Sequence, residues 1–359
     1  MAGMREEDVW LRRAGYLLGE RFSGGSFSTI HLALRIRDAS KVAVKLIDLR
    51  TTTQDYRKRF LPREIENVAT LHHPNIIKVQ WVGRSKTKAY IIMAHAKTNL
   101  RQQIAKRSFI DETQAKKWFC QLASAMAYLH RRGVAHRDLK IENILIDEEQ
   151  NIKLCDFGFS KVCQQNGNLG PNSDTFCGSL GYCAPEILLR TPYNPWKTDI
   201  WSLGVVLYKM VIGGMPFGEG NDLGCIRKIA KAQTQLLEFP DHPRITDDCQ
   251  NLIRSLLAFE SEHRITLVDI FRSKWINADG LSCVDTNSLS HVSRVIQETN
   301  NLRVQETNNR AIAREQFVNS SQQPSSDRPK TSIRPTSVIS RIRMRLPSLS
   351  TRRFRKERL

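Results

Sequence analysis

Four short stretches in a fixed order constrain the fold of this 359-residue chain more than any other feature. They are VAVK ending at Lys45, HRDLKIEN over 136–143, DFG over 156–158 and APE over 184–186. Any one of them alone would be a weak match. Together, in this order and at these spacings, they place the candidate functional residues in a defined scaffold.

The hydrophobic period changes along the chain at about residue 110. Before it, Ile30, Leu32, Leu34 and Ile36 alternate with smaller or more polar neighbours, which is the period of a half-buried strand. VAVKLID, NIIKVQWV and AYIIMA read as further strands. After it, one helical face collects Ala115, Trp118, Phe119, Leu122, Met126 and Leu129. Asp111 with Gln114 predicts a capping box at the start of that helix. The pattern predicts an α+β protein with a small strand-rich lobe followed by a larger helical lobe.

The loop in LGERFSGGSFSTIHLALR, residues 18–35, joins two predicted strands. This excludes a dinucleotide-binding fingerprint, whose glycines must open a helix. Ser23 and Ser28 stand where a G-x-G-x-x-G loop has glycine, and Gly25 keeps the middle position. Serine still presents its backbone N–H to a phosphate but restricts conformations with positive φ. We expect a phosphate loop that works but is stiffer or binds phosphate more weakly.

The four stretches together resemble the catalytic domain of eukaryotic protein kinases, over about residues 16–276. HRDLKIEN, with Lys140, and GSLGYCAPE indicate the serine/threonine group. YLLGE, FLPREIE, SDTFCGS and DIWSLGVVLYKMVIGGMPF are most similar to the testis-specific serine/threonine kinases of the calmodulin-dependent kinase branch. The resemblance implies a bilobal protein kinase fold: a lead over 1–15, an N-lobe over about 16–94, a hinge over 94–97 and a C-lobe over about 98–276.

The resemblance also implies catalytic roles. Asp138 is expected to accept the proton of the substrate hydroxyl, and Lys140 to contact the transferred phosphate, because phosphoryl transfer depends on positioning and charge neutralisation. Asn143 and Asp156 would supply oxygen ligands to Mg²⁺, with Mn²⁺ as an alternative ion.

The expected ATP-binding residues lie around the glycine-rich loop, strand three and the hinge. Lys45 would hold the α- and β-phosphates and pair with Glu64, Met93 would be the gatekeeper, and backbone groups of 94–96 would bond to adenine. The full set is Phe22, Ser23, Gly24, Gly25, Ser26, Phe27, Ser28, Thr29, Ile30, Lys45, Glu64, Met93, Ala94 and Ala96.

Three further residues have structural roles by the same resemblance. Glu186 and Arg264 are expected to form an ion pair in the large lobe, and Asp199 to fix the backbone of the catalytic loop. His136 and Phe157 are interpreted as packing residues between the lobes.

The activation segment, residues 159–183, carries a predicted phosphorylation site at Thr175. Its phosphate would bind Arg137 and Lys161, two cations that otherwise leave the segment loose. An upstream kinase is the expected source. Gly178 and Ser179 would form the floor for the substrate residue that follows the acceptor. Asn99 replaces an acidic residue common in the family, which leaves Glu142 as the remaining acid for a basic substrate residue.

The net charge of +19 is unevenly spread, with +9 of it from Leu281 onward and +10 on the preceding 280 residues. From Leu281 onward there are fifteen Lys/Arg and six Asp/Glu, and from Arg328 onward eleven Lys/Arg against Glu357 alone. This composition predicts a disordered Arg/Ser-rich segment over 277–359. It is either simply solvated or binds anionic surfaces, nucleic acid or membrane, weakly. Its Ser337, Ser348 and Ser350 lie near arginines and are candidate phosphorylation sites.

Eight cysteines without a C-x-x-C pair predict free thiols in a reducing compartment and argue against structural zinc. No apolar run opens the chain, so we expect no cleaved signal peptide. The longest apolar stretch, IWSLGVVLYKMVIGGMPF, is interrupted by Lys209 and glycines, and predicts a core helix, not a membrane span. We expect a cytoplasmic protein that is also nuclear.

Three functions remain in view. An active serine/threonine kinase that phosphorylates proteins is favoured because the full catalytic set is present, and the subfamily resemblance implies a role in male germ-cell development. A nucleotide-binding pseudokinase scaffold is the alternative, supported by the altered loop and hinge. An electrostatic binding protein, acting through the basic tail, would leave the catalytic set unexplained.

Overall fold

A computed structural model of the chain describes residues 6–24, 28–54, 57, 61, 65, 70–165, 168, 169, 173, 178–218, 228, 229 and 237–278. All of them fall within the unit Met1–Glu298. The predicted tail lies outside the described residues from 279 onward. Among the described residues the longer strands precede residue 95 and most of the helices follow residue 100. The α+β class and the order of the two lobes are therefore confirmed.

The small lobe is a five-stranded antiparallel sheet. Its strands are β1 (Tyr16–Gly24), β2 (Ser28–Arg35), β3 (Lys41–Asp48), β4 (Val79–Arg84) and β5 (Lys88–Ala94), in the spatial order β1-β2-β3-β5-β4. The register places Ile30 opposite Lys45 and Ala43 opposite Met93. Since side chains alternate between the faces of a sheet, these four share one face. Val42 and Val44 belong to the other face.

Helix α1 (Glu6–Arg13) covers that other face. Leu11 is fully buried, and Trp10 stacks on Tyr90 with ring centroids 4.0 Å apart. Nζ of Lys88 donates to the carboxylate of Glu7 across 2.7 Å. Residues 1–15 were expected only as a lead, and this helix was not anticipated. Without α1 this face of the sheet, which carries Val42 and Val44, would be exposed. α1 therefore adds apolar side chains to the small-lobe core.

The small lobe is joined to the large one by the chain at residues 95–97 and by backbone hydrogen bonds between residues 75–77 and the strand at 152–154. Residues 95–97 lead from β5 to β6 (Thr98–Asn99), which pairs with β8 (Ile144–Ile146), and β9 (Ile152–Leu154) completes that sheet. Leu154 N–H donates to Asn75 O at 2.8 Å, and Ile77 N–H to Leu154 O at 2.9 Å. The predicted strand NIIKVQWV is therefore wrong in its first part. Residues 75–77 bond to β9 and do not extend the five-stranded sheet.

The large lobe is built from helices. They are α2 (Leu100–Arg107), α3 (Glu112–Arg131), α4 (Pro185–Leu188), α5 (Pro195–Ile212), α6 (Asp247–Leu256), α7 (Leu267–Arg272) and α8 (Lys274–Asn277), with 3-10 turns at Ile141–Asn143, Leu180–Tyr182 and Ser261–His263. The predicted apolar face of α3 is buried along its whole length. Asp111 caps α3 by accepting from the Gln114 N–H at 2.9 Å, which is only the first half of the predicted capping box.

Helix α5 runs through the core of the large lobe, as its apolar sequence predicts. Thirteen of its eighteen residues are buried. Within the described ranges, no helix has the length and apolarity needed to cross a bilayer. The described cysteines, Cys120, Cys155, Cys163, Cys183 and Cys249, carry free thiols.

Candidate active site

A buried carboxylate on α5 holds the loop that follows β7 (Val134–Ala135). Asp199 accepts hydrogen bonds from the backbone N–H groups of His136 and Arg137, each at 2.9 Å, and from Nε2 of His130 at 2.8 Å. Arg137 has a φ of +65°, which a non-glycine residue adopts only where its surroundings enforce it. Asp199 thus fixes the strained start of the catalytic loop, which is the role the resemblance assigns to it.

The imidazole of His136 links this loop to the next strand. Its Nδ1 accepts from the Asp138 N–H at 3.3 Å, and its Nε2 lies 3.2 Å from Cys155 O. An N–H can only donate and a carbonyl can only accept, so the ring is neutral with its proton on Nε2. Phe157 packs against it with centroids 5.2 Å apart. Both side chains are fully buried, in agreement with a packing role.

Asp138 is the centre of a polar cluster. Its Oδ2 accepts from Nζ of Lys140 at 2.8 Å. Its Oδ1 accepts from the backbone N–H of Ser179 at 3.1 Å and from the Ser179 hydroxyl at 3.0 Å. Nζ of Lys140 also donates to the Ser179 hydroxyl oxygen at 3.0 Å. These bonds hold a buried carboxylate in one orientation beside an ammonium group, the arrangement required of an oriented proton acceptor.

Asn143 lies beside this base, at the end of a 3-10 turn. Its Nδ2 donates to Asp138 O at 2.9 Å and to Asp138 Oδ2 at 3.3 Å. With the amide nitrogen engaged, the amide oxygen is the atom that remains for a cation. An amide oxygen and a nearby carboxylate are the kind of donors that Mg²⁺ prefers.

Asp156 supplies that carboxylate, and it is joined to the small lobe. Nζ of Lys45 on β3 lies 3.1 Å from its Oδ1. Burial raises the pKa of Asp156, but the charge and the hydrogen bond of Lys45 outweigh burial and hold the pKa below its ordinary value. The group is therefore ionised at neutral pH. Glu64, the expected partner of Lys45, lies outside the described residues.

The glycine-rich segment is a hairpin, as its position between two strands predicts. Ser23 pairs with Ile30, and Gly24 with Thr29. Phe22 is 58% exposed near the end of β1, and its expected contact with the nucleotide stays a prediction. Gly25, Ser26 and Phe27 lie outside the described residues, so the structure describes only the two arms of the loop, including Ser28.

The hinge follows the same face of the sheet. Met93 is half-buried opposite Ala43 and packs against the small-lobe core beneath the sheet. The Ala94 N–H donates to Lys78 O at 2.9 Å, which fixes the end of β5. In the described part of the chain no hydrogen bond engages the backbone of Ala96. The resemblance assigns its N–H to adenine, and that assignment stays a prediction.

Arg137 connects the catalytic loop to the activation segment. Its Nε donates to Phe159 O at 2.7 Å, and its Nη1 to the Ser173 hydroxyl at 3.4 Å. Ser173 is fully buried and exchanges two backbone hydrogen bonds with Tyr193, each at 2.9 Å. The predicted phosphorylation site, Thr175, lies outside the described residues.

The activation segment also pairs with the catalytic loop through its backbone. Lys161 lies on β10 (Lys161–Val162), which pairs with β7. Further along, β11 (Gln164–Gln165) pairs with β12 (Asn168–Leu169). Lys161 is therefore close in the fold to the loop that carries Arg137, the other half of the predicted phosphate pocket.

The ion pair expected in the large lobe is present. Nη1 and Nη2 of Arg264 each lie 2.6 Å from one carboxylate oxygen of Glu186, a bidentate geometry. Nε of Arg264 donates to Ala258 O at 2.8 Å, and the side chain is fully buried. This pair attaches the end of the activation segment to the body of the lobe.

Two contacts were missed by sequence reasoning. Ser179 was assigned to the floor of the substrate site, but the structure places its hydroxyl on the Asp138 carboxylate. Asn99 was noted only as the replacement of an acidic residue, and its side chain caps α2 by accepting from the Gln102 N–H at 2.9 Å. The motif N-L-R-Q, with Gln at the third helical position, carried that capping-box signal.

Gly178 shows why the segment before Ser179 needs glycine. Its φ is +101°, and a Cβ atom there would lie 2.8 Å from Arg137 O. Any side chain would push the activation segment away from the catalytic loop. The close approach brings the Ser179 N–H to Asp138.

Residues 16–276 match the family model described as the protein kinase domain. The chain belongs to the protein kinase family. This match covers the lobes, the hinge and the site residues from Phe22 to Arg264. It accounts for the convergence of Lys45, Asp138 and Asp156 from three separate stretches.

Curated relatives narrow the class. The chain is 40% identical over 294 residues to testis-specific serine/threonine-protein kinase 1 of Mus musculus, covering 80% of this chain and 79% of that protein. It is 35% identical over 275 residues to testis-specific serine/threonine-protein kinase 4 of Homo sapiens, covering 73% and 82%. CBL-interacting serine/threonine-protein kinase 7 of Arabidopsis thaliana is 36% identical over 264 residues, covering 72% and 59%.

These relatives confirm the resemblance to the testis-specific serine/threonine kinases. The chain is a protein serine/threonine kinase, an enzyme class that acts on protein substrates and generally uses ATP and Mg²⁺. The pseudokinase alternative receives no support from the relatives or from the site, where Lys45, Asp138 and Asp156 are all in place.

Proposed function

We propose that this kinase transfers the γ-phosphate of ATP to serine and threonine hydroxyl groups with Asp138 as the base. The carrying observation is the hydrogen-bonded cluster of Asp138, Lys140 and Ser179. A substrate hydroxyl beside Asp138 would donate its proton to the carboxylate as its oxygen bonds to the γ-phosphorus, while the bond from that phosphorus to the bridging oxygen breaks and ADP leaves. Lys140, 2.8 Å from the same carboxylate, would neutralise charge on the transferred phosphoryl group.

The residues present fit Mg-ATP. Asn143, through its amide oxygen, and Asp156, through its carboxylate, would hold the ion, which when bound neutralises phosphate charge. Lys45 is already oriented toward Asp156, where the nucleotide phosphates would lie. Apolar walls for an adenine ring would come from Phe22 and Ile30, on the two arms of the glycine-rich hairpin, and from Met93 beside the hinge.

We further propose that phosphorylation of Thr175 by an upstream kinase orders the activation segment. The guanidinium of Arg137 is buried, and in the described part of the chain its partners are the neutral oxygens of Phe159 and Ser173. A buried cation with neutral partners favours an added anion. A phosphate on Thr175, two residues beyond Ser173, would supply it, with Lys161 as the second cation.

The names of the relatives support a role in male germ-cell development, since two of them are testis-specific kinases.

We propose cytoplasmic and nuclear action. The basic tail beyond Arg328 would add weak binding to anionic surfaces, nucleic acid or membrane, and carry phosphorylated Ser337, Ser348 and Ser350. Deletion after Arg328 should remove salt-dependent binding.

The full chain, incubated with ATP and Mg²⁺, tests the proposed acceptor class. Peptides of one sequence with serine, threonine or tyrosine at the acceptor position should be phosphorylated on the first two and not on the third. Tyrosine transfer at the serine rate would contradict the acceptor class. Absence of transfer with Mg²⁺ or Mn²⁺, even after phosphorylation of Thr175, would overturn the proposed activity.

A further inference from the structure

The glycine-rich hairpin has one regular arm and one irregular arm. β2 pairs with β3 in an unbroken register from Ser28 to Leu34. β1 pairs with β2 in a register that shifts twice, once between Leu18 and Arg21 and again between Arg21 and Ser23. Each shift adds one residue to β1, as a β-bulge does, and a bulge bends its strand. Regular backbone pairing alone therefore does not fix the path of β1 toward the loop.

A histidine side chain connects the irregular arm to the regular one. His31 on β2 is buried, and its Nδ1 lies 3.3 Å from Gly19 O, inside the first register shift of β1. Its Nε2 lies 3.2 Å from the hydroxyl oxygen of Thr29, two residues back on β2. A Cβ atom at Gly19 would lie 3.0 Å from Leu32 O, so the backbones of the two arms approach each other closely here.

The two contacts give each ring nitrogen a defined role. Gly19 O can only accept, so Nδ1 of His31 carries a proton and donates the hydrogen bond. The Thr29 hydroxyl can donate to a bare Nε2 or accept from a protonated one, so the ring keeps both contacts whether it is neutral or charged. The Thr29 contact orients the ring, and the oriented ring holds Gly19 O. Together they specify where β1 bends.

His31 lies on the face of the sheet that the nucleotide is not expected to occupy. It is directly opposite Val44 in β3, whose side chain is fully buried in the cluster that α1 covers. Lys45 and Ile30 belong to the other face, the expected nucleotide face. His31 is therefore not placed to contact ATP itself. Any effect on the nucleotide passes through the β1 arm, which carries Ser23.

The location of β1 makes a contact of this kind important. In the described part of the chain β1 is the edge strand of the five-stranded sheet, with β2 as its neighbour. Its position within the sheet therefore depends on its contacts with β2, and His31 supplies one that the shifted register does not. An arm that is already positioned before a ligand arrives loses less conformational entropy on binding.

We propose that His31 is a positioning residue for ATP. It fixes the bend of β1 through Gly19 O, with its ring oriented by Thr29, and so strengthens nucleotide binding without contacting the nucleotide. The inference rests on the proposed binding of ATP at the glycine-rich hairpin. The positioned arm serves the bound nucleotide equally before and during transfer, so its contribution is to the KM for ATP and not to kcat.

Steady-state kinetics of the full chain with Mg²⁺, ATP and a serine peptide test this role. His31→Met fills the space of the ring without its polar atoms. It should raise the KM for ATP about threefold to tenfold, the effect of one lost hydrogen bond. kcat and the KM for the peptide should change by less than about twofold. His31→Asn, whose amide N–H can donate to Gly19 O, should restore most of the lost ATP affinity.

Variants of Thr29 test the orientation of the ring. Thr29→Val keeps the shape of the side chain without the hydroxyl and should raise the KM for ATP about twofold to fivefold. Thr29→Ser, which keeps the hydroxyl, should raise it less. Thr29→Val should add little to His31→Met, because both changes break the same chain of contacts. A Thr29→Val effect that persists in full beside His31→Met would indicate a direct contact with ATP and contradict the proposal.

Leu11→Ala separates positioning from a general loss of stability. Leu11 is fully buried in α1 on the same face of the sheet, and its truncation removes apolar packing but no polar group. At a temperature where thermal melting shows every variant to be folded, Leu11→Ala should leave the KM for ATP unchanged. An equal rise in Leu11→Ala and His31→Met would overturn the proposal, as would an unchanged KM in His31→Met.

Binding of a fluorescent ATP analogue with Mg²⁺ keeps this test separate from the test of transfer. If wild type binds the analogue but transfers no phosphate, the proposed function fails, and the Kd of His31→Met relative to wild type still decides the role of His31. A Kd ratio of about three to ten supports the positioning role, and a ratio near one overturns it. Absence of analogue binding by wild type would overturn both proposals.

Discussion

Nζ of Lys45 and Oδ1 of Asp156 lie 3.1 Å apart and join the small lobe to the start of the activation segment. The ammonium group is mostly buried, with its side chain only 12% exposed. The pair comes from two motifs that are 111 residues apart in sequence. It places a cation beside the carboxylate that is proposed to hold Mg²⁺, so phosphates bridging the two would meet positive charge from both sides.

Lys45→Met should lower kcat/KM for ATP by about 10² to 10³, because the variant loses a preorganised charge at the phosphates. Lys41→Met is the matched control, since Lys41 is an exposed lysine on the same strand and the same face. It should leave transfer to a generic serine peptide unchanged. Steady-state kinetics of both variants, with melting temperatures, check the prediction. Equal losses in the two variants would contradict a specific role for Lys45.

Arg264→Lys should destabilise the large lobe by about 3 to 5 kcal/mol. A lysine cannot reproduce the bidentate contact with Glu186, and it leaves a buried charge partly unpaired. Arg272→Lys is the control, because Arg272 is half-exposed and its Nη1 makes a long contact of 3.8 Å with Asp269 Oδ1. That change should stay within about 0.5 kcal/mol. Urea unfolding measures both. A similar small effect at the two positions would show that the Glu186 pair contributes little.

Leu11→Ala should cost the small lobe about 2 to 5 kcal/mol, the usual range for a fully buried leucine. Val9→Ala, on the exposed side of the same helix, should cost well under 1 kcal/mol. The measurement is chemical unfolding of the full chain with both variants. A Leu11 variant as stable as wild type would mean that α1 is dispensable for the small-lobe core.

Asp48 should make stability depend on pH in the acid range. The hydrogen bonds from Arg50 lower the pKa of Asp48 to about 2, against a desolvation effect of opposite sign. A carboxyl whose pKa is lowered in the folded state stabilises the protein at pH values above the pKa that it has in the unfolded chain, near 3.8. This contribution is lost as the pH falls from there toward the folded pKa, about 2. Because the Asp48–Arg50 pair is largely exposed to solvent, Asp48→Asn should cost only about 0.5 to 1 kcal/mol at pH 7.

The pH dependence itself decides whether the Arg50 contact is the cause. The difference in unfolding free energy between wild type and Asp48→Asn should be constant above about pH 5 and shrink below pH 4. Unfolding in urea at a series of pH values checks it. A difference that stays constant down to the lowest pH reached would contradict the lowered pKa.

Much of the fold followed from the sequence because the signals were local. The alternation in β2 and β3, the helical period of α3 and the apolar run of α5 each specify one element. Helix α1 was not anticipated, because Trp10 and Leu11 stand in a short charged stretch without a clear apolar pattern. Their burial depends on tertiary contact with the face of the sheet that carries Val42 and Val44. The start of NIIKVQWV was misread because its pairing with β9 is a tertiary choice that periodicity does not contain.

The candidate site was predicted less evenly. Asp138, Lys140, Asn143 and Asp156 were found through motifs, and the structure brings them together. The bond between Ser179 and Asp138 depends on how the activation segment folds back, which Gly178 permits and no local pattern predicts. Thr175, Glu64 and the tip of the glycine-rich loop remain predictions, since they lie outside the described residues.

The most direct test of the account is phosphate transfer by the full chain compared with Asp138→Asn, measured with ATP, Mg²⁺ and a serine peptide. Asparagine keeps the shape of the side chain but cannot accept the proton, so kcat should fall by about 10² to 10⁴ while nucleotide affinity is retained. Affinity is measured in parallel with a fluorescent ATP analogue. Transfer by the variant at the wild-type rate, with ATP bound equally well, would contradict Asp138 as the base and the account built on it.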